Sequence, residues 1–256
     1  MRVDAIVLAG ATNTGKLQEV STEKYEATIP VGGKPLFKYV VDALQSTVRV
    51  REIVVVGPQV LKEQLPSGVR LVESGTTMTE NILRGAASLK KSPKVLVVTS
   101  DIPFIHKDAI EDFLDRCADL EADLYYPIIS KEANEQVYPG CRRTYVKLRE
   151  GVFTGGNMVL VSPTVLANSQ ALMERVVSLR KKPWKLARLL GLTFVFKFFM
   201  QQLSLSELER RVSQLLGVRG VAIISPYPEI GTDVDKPSDL ELAERVIGTV
   251  SGSREA

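Results

Sequence analysis

Short apolar runs, each ended by glycine, proline or a polar residue, recur through the first half of the chain. Val95 to Thr99 lies between Pro93 and the Ser100-Asp101-Ile102-Pro103 break, and its unbroken apolar character predicts a strand buried on both faces. Asp4 to Ala9, Ile53 to Val56 before Gly57-Pro58, and Val69 to Val72 read the same way. Between these runs the period becomes helical, at Leu36, Tyr39, Val40, Ala43 and Leu44, at Ile82, Leu83, Ala86 and Ala87, and at Ile110, Phe113 and Leu114 within His106 to Cys117. Strands alternating with helices over short connections predict parallel pairing and right-handed crossovers. Residues 1–118 therefore read as a Rossmann-like nucleotide-binding half.

The pattern then changes. Asp123 to Ile129 and Met158 to Val161 read as strands, and Tyr138 to Leu148 as a loop feeding an edge strand. Residues 170–217 read as helices with a basic entry at Arg180 to Lys185, a strongly apolar stretch from Leu186 to Met200 and an amphipathic end from Leu203 to Leu216. Val221 to Ser225 is a further strand, and a last helix runs through Leu242 and Val246. One α/β domain over residues 1–256 follows, with residues 119–256 as its acceptor half carrying the helical segment.

Charge and composition narrow the chemistry. A net charge of +3 supplies no global field for nucleic acid, so none is expected as a partner. Two cysteines without metal spacing and a single His106 exclude a thiolate or histidine-rich metal centre. Carboxylates, lysines, arginines and backbone amides are left to do the work. The N-terminus enters a strand at once and no apolar run of about 18 residues is present, so a cytoplasmic protein is expected. The basic apolar stretch over 184–216 suits either a peripheral membrane contact, a homodimer interface, or packing on its own domain.

Asp101 ends the central strand, at the edge where open α/β sheets bind ligands, and it reads either as a cation ligand or as a cap of the next helix. Gly10 to Lys16 follows the first strand with small residues that let backbone amides approach an anion, although an ordinary loop has the same composition. Lys34, between Gly32-Gly33 and Pro35 at a helix start, reads as a phosphate-facing lysine or as a solvated one. Ser74, Gly75 and Asn81 open another helix and suit either a nucleobase edge or simple capping. Arg142, Arg143 and Lys147 suit a phosphorylated acceptor or a charged strand edge. Thr154, Gly155, Gly156 and Asn157 place paired glycines where packing gives no evident reason for them, and a backbone close to a ligand is expected. Asp233 and Asp235, two apart, share one side of an extended segment.

Taken in order, VLAG, PVGGKPL, TSDIP, TGGN and DVDKPSDL resemble the MobA-like nucleoside triphosphate transferases over nearly the whole chain apart from 170–217. The resemblance implies a GT-A-type nucleotidyltransferase fold with a mostly parallel central sheet flanked by helices. It implies transfer of a nucleoside monophosphate to a phosphorylated small-molecule acceptor, with Mg2+ or Mn2+ on Asp101 and on Asp233 or Asp235. Leu8, Ala9, Gly10, Ala11 and Lys16 then fall on the triphosphate loop, Lys34 on the lysine of the GKP element, and Gly57 on the nucleotide side. The TGGN segment falls on the acceptor side. The chain departs from the family pattern at Ala11 and Lys16, where LAGG and a downstream arginine are usual. It departs again at Glu26, where relatives often carry a lysine that Lys24 would have to replace. A sugar-nucleotide-dependent glycosyltransferase and a non-catalytic nucleotide-binding scaffold are the two alternatives on the same fold.

Overall fold

The computed structural model describes residues 1–89, 92–118, 120–163, 165 and 192–252. Among them a nine-stranded sheet runs β5-β4-β1-β6-β10-β7-β9-β8, with β11 paired to β7. Its parallel core is β5 (Val69–Glu73), β4 (Val50–Gly57), β1 (Val3–Leu8) and β6 (Val95–Thr99). β10 (Met158–Val161) lies antiparallel between β6 and β7 (Leu124–Ser130), whose other neighbours are β9 (Gly151–Gly155), antiparallel, and β11 (Gly220–Ser225), parallel. β8 (Val146–Leu148) is the outer strand beyond β9.

Burial on both faces explains why the central strands lack alternation. Val3, Ala5 and Val7 of β1 pack with α1 (Leu36–Gln45) and α3 (Lys107–Ala118), whereas Ile6 packs with Val54, Val97 and Ile82 of α2 (Met78–Ser88) on the opposite face. The apolar stripes that predicted these helices are the ones buried: Leu36, Val40 and Leu44 in α1, Ile110, Phe113 and Leu114 in α3.

Three features had no forecast. Pro30–Val31 (β2) and Lys34–Pro35 (β3) form a small antiparallel hairpin before α1, so Lys34 stands on a strand rather than at the first turn of a helix. Lys131–Val137 is a short helix, α4, capped by Ser130, whose Oγ accepts from the Ala133 amide at 3.1 Å. A third apolar cluster joins Leu17, Val31, Leu36, Phe104, Tyr138, Val234 and Leu242, so the N-terminal loop, the hairpin and the last helix share one core.

The helical region is described in its second part: α5 (Leu192–Phe199), α6 (Leu205–Leu216) and, after β11, α7 (Pro237–Gly252). Phe194 packs against a cluster of Leu148, Phe153, Ile128 and Leu203, which favours intramolecular packing for this part. The basic entry at 180–185, and residues 184–191 of the expected membrane or dimer surface over 184–216, lie outside the described residues. No helix among the described residues is long and apolar enough to cross a membrane.

Candidate active site

β6 delivers Asp101 to the C-terminal edge of the sheet, and the chain returns to it 130 residues later. The Val234 amide donates to the Asp101 carbonyl at 2.9 Å, pinning the segment 233–235 against the end of β6. Asp233 and Asp235 flank that contact, and one carboxylate oxygen from each of Asp101, Asp233 and Asp235 lies within 4.8 Å of the others. Three hard oxygen donors at that spacing, on two segments locked together by backbone, suit a divalent cation such as Mg2+ or Mn2+. The expected pairing of Asp101 with either Asp233 or Asp235 is met by both.

A fourth carboxylate, which sequence reasoning missed, organises the group. Asp239, in the first turn of α7, is 4% exposed, and its Oδ2 accepts from the Asp235 amide at 3.2 Å. Lys236 Nζ lies 3.7 Å from its other oxygen. The signal was available: an aspartate just inside a helix that follows a proline commonly caps the segment before it. Thr232 Oγ1 donates to the Pro228 carbonyl at 2.8 Å and to Oδ1 of fully buried Asn134 at 3.3 Å, tying α4 to the same segment.

Arg143 corrects an expectation. Instead of facing an acceptor, its side chain is 7% exposed; Nη1 donates to Asp233 Oδ1 at 2.5 Å and Nη2 to the Asp233 carbonyl at 2.7 Å. Asp239 Oδ2 stands 3.8 Å from Nη1. Burial pulls the guanidinium pKa down, but Asp233, Cys141, Asp239 and Asp235 outweigh it, so the pKa is raised and the charge is retained. Burial likewise raises the Cys141 thiol, and burial with Glu229 raises the Tyr138 phenol.

Beside the carboxylates a cleft of about 540 Å³ opens between the N-terminal loop and α7, lined by Lys16, Arg142, Lys236 and Arg245 with Asp239 and Glu241. Lys16 and Arg142, expected on opposite sides of the reaction, therefore share one cavity. Lys147 lies apart from it, exposed on β8 at the solvated sheet margin. Lys34 is also differently engaged: it forms an ion pair with Asp42 of α1 and stands 4.3 Å from the Tyr39 ring centroid. Both partners of that pair keep solvent contact. Lys24 lies over the neighbouring Tyr25 ring at 5.4 Å.

The expected nucleotide residues converge. Leu8 and Ala9 are held at the sheet edge, the Leu8 carbonyl accepting from the Ser100 amide at 3.2 Å and the Ala9 amide donating to Val56 at 2.8 Å. A Cβ on Gly10 would lie 2.7 Å from Ser74 Cβ and 3.2 Å from Asn81 Nδ2, so glycine is needed for these three to meet. Asn81 Oδ1 accepts from the Gly75 amide at 2.6 Å, and the Ser74 amide donates to the Gly57 carbonyl at 3.1 Å. Asn81 thus shapes this wall from behind. The loop after Gly10 is closed by the segment holding Glu26: its amide donates to the Ala11 carbonyl at 3.1 Å, and the Asn13 amide donates to Lys24 at 2.9 Å.

Gly155 and Gly156 do have a packing role, contrary to expectation. A Cβ on Gly155 would lie 2.2 Å from the Tyr126 hydroxyl, and one on Gly156 2.8 Å from both Ile230 and Pro127. The Tyr126 hydroxyl donates to the Gly156 carbonyl at 3.0 Å. Thr154 is buried within β9, while the Asn157 amide donates to Ile230 at 2.8 Å and its carbonyl accepts from Thr99 at 3.0 Å. The segment braces the ends of β6 and β10 against the loop before α7.

The sequence model of the MobA-like NTP transferase domain matches residues 5–194. Among curated proteins, none matches the sequence. Among solved structures, a hypothetical transferase from Thermus thermophilus is 38% identical, with a TM-score of 0.80 over 94% of this chain and 100% of that one. A CMP:2-keto-3-deoxy-manno-octonic acid synthetase complexed with CTP shares the fold at 13% identity, with a TM-score of 0.64 over 97% and 99% of the two chains. The 4-diphosphocytidyl-2C-methyl-D-erythritol synthase of Anaerococcus prevotii does so at 14% identity, with a TM-score of 0.58 over 96% of each.

Proposed function

The chain belongs to the MobA-like NTP transferase family, and on that premise we propose that it transfers a nucleoside monophosphate from a nucleoside triphosphate to a phosphorylated small-molecule acceptor. An acceptor phosphate oxygen bonds to the α-phosphorus, the bridge to the β-phosphate breaks, and pyrophosphate leaves with the electron pair. The observation that carries this reading is the convergence of Asp101, Asp233 and Asp235, joined through Asp239 to a cleft lined by cations.

Asp101, Asp233 and Asp235 would hold Mg2+ or Mn2+, which when bound neutralises phosphoryl charge and fixes the orientation of its oxygens. Lys16, Arg142, Lys236 and Arg245 attract and steady phosphate groups, so that charge on the leaving pyrophosphate develops against fixed cations. Gly10, Ser74, Gly75 and Asn81 form the wall for the nucleoside. Nothing in such a displacement requires a protein nucleophile, because positioning and electrostatics supply the rate.

The test follows pyrophosphate release from CTP, GTP, UTP and ATP with a panel of phosphorylated acceptors, with and without Mg2+, in wild-type protein and Asp101→Asn. One triphosphate should turn over only with metal, and Asp101→Asn should lower kcat by roughly 10²-fold or more, the range seen when one charge-stabilising group is removed. Sugar transfer without pyrophosphate, or nucleotide binding indifferent to both Mg2+ and Asp101, would overturn the reading.

A further inference from the structure

We infer that Arg143 is a built-in cation of the carboxylate cluster that competes with the divalent ion for Asp233. The inference rests on reading Asp101, Asp233 and Asp235 as the metal ligands.

Four carboxylates crowd the end of β6: Asp101, Asp233 and Asp235 within 4.8 Å of one another, and Asp239 bonded to the Asp235 amide. Left alone they would repel, and the segment 233–235 would be driven from β6. Arg143 enters from the loop before β8 and meets Asp233 twice, through Nη1 to Oδ1 and Nη2 to the carbonyl, at 93% burial of its side chain. That geometry holds both the carboxylate and its backbone. A divalent ion ligated to Asp233 would stand only a few ångströms from the guanidinium, with little solvent between them to screen the repulsion.

The guanidinium also carries an unmet demand. Arg143 Nε is buried with no hydrogen-bond partner, so the present seat of the side chain satisfies only part of its donor set. Arg142, its neighbour in the chain, already lines the phosphate cleft, so a shift of the 142–143 backbone carries over into that cavity.

Competition makes a prediction that a purely structural role does not. Metal-stripped wild type, Arg143→Gln and Arg143→Lys are titrated with Mn2+ alone, reading bound ion by electron paramagnetic resonance. Arg143→Gln, which removes the charge, should bind Mn2+ roughly tenfold more tightly or better, the order expected when one unit charge near an ion is removed. Arg143→Lys, which keeps the charge, should stay within about threefold of wild type on the same argument. Equal or weaker binding by Arg143→Gln overturns the inference while leaving the metal site standing. Absence of Mn2+ binding in all three proteins overturns both. Should Arg143→Gln be unfolded when stripped, recovery of its thermal transition on adding Mn2+ alone supports the role of substitute cation, and failure to recover overturns it.

Discussion

Gly155 shows how a single residue can carry a packing constraint that its sequence context does not reveal. The position a Cβ would take is filled by the Tyr126 hydroxyl at 2.2 Å, and that hydroxyl in turn holds the Gly156 carbonyl. Gly155→Ala must therefore push the exposed Tyr126 ring off its bond to Gly156, and the cost is that of the lost hydrogen bond, about 0.5–1.5 kcal/mol. Equilibrium urea unfolding should show that loss in the single variant, and Gly155→Ala combined with Tyr126→Ala should recover part of it; strict additivity of the two changes would rule out the clash. Other single residues were legible or not for similarly physical reasons. Asp101, Asp233 and Asp235 could be read because a strand end, a two-residue spacing and a family motif each limit where a carboxylate can point. Arg143 could not, since its partner is 90 positions away and a guanidinium between Tyr138 and Leu148 is compatible with solvent, phosphate or a buried acid. The Lys34–Asp42 pair could not be foreseen, because Asp42, on the following helix, is an ordinary surface residue until the hairpin β2-β3 turns the two together.

At the scale of elements, helix boundaries held where local chemistry specified them. Ser204 Oγ accepts from the Glu207 amide at 3.2 Å while the Glu207 carboxylate accepts from the Ser204 amide at 3.1 Å, a reciprocal cap that starts α6. Lys197 of α5 adds an ion pair, and hydrogen bonding to it leads the causes that hold the Glu207 carboxyl down to about 2. Glu80 is held at about 2 in the same way, first by the Thr76 amide and then by Arg84. Since both folded-state values lie below the ordinary 4.5, these contacts stabilise fully above that pH and are lost as pH falls from 4.5 toward 2. Unfolding free energies measured across that window should fall less steeply in Glu207→Gln than in wild type; identical slopes would show that the cap does not persist in solution. The hairpin and α4 escaped the sequence reading, because two-residue strands and a seven-residue helix carry too few positions to show a period, and β10, expected as a strand, gave no sign of its antiparallel direction.

The molecule as a whole separates what holds it together from what it does. The C-terminal ends of its parallel strands gather carboxylates and cations, while the opposite ends carry a closed ionic contact. Asp4, near the start of β1 and 1% exposed, accepts from Arg51 Nε at 3.1 Å and Nη2 at 3.0 Å, and the same Nη2 reaches Ser92 Oγ at 3.0 Å. This bidentate pair joins β1, β4 and the entry to β6 at the end of the strands away from Asp101. Removing Arg51 leaves a buried carboxylate uncompensated, a defect worth about 3 kcal/mol when the partner is wholly buried and less here, where Arg51 keeps solvent contact. Arg51→Ala should accordingly lower Tm by several degrees, since about 1 kcal/mol shifts a domain of this size by roughly 2–4 °C. Its Mn2+ affinity and nucleotide-dependent stabilisation should stay at wild-type values, because the rigid parallel strands transmit no rearrangement to Leu8, Gly57 and Asp101 at their other ends. A fall in Mn2+ affinity comparable to that of Asp101→Asn would mean instead that the two ends are coupled through β1. That coupling would place the sheet itself, and not only its loops, among the parts that set the metal site.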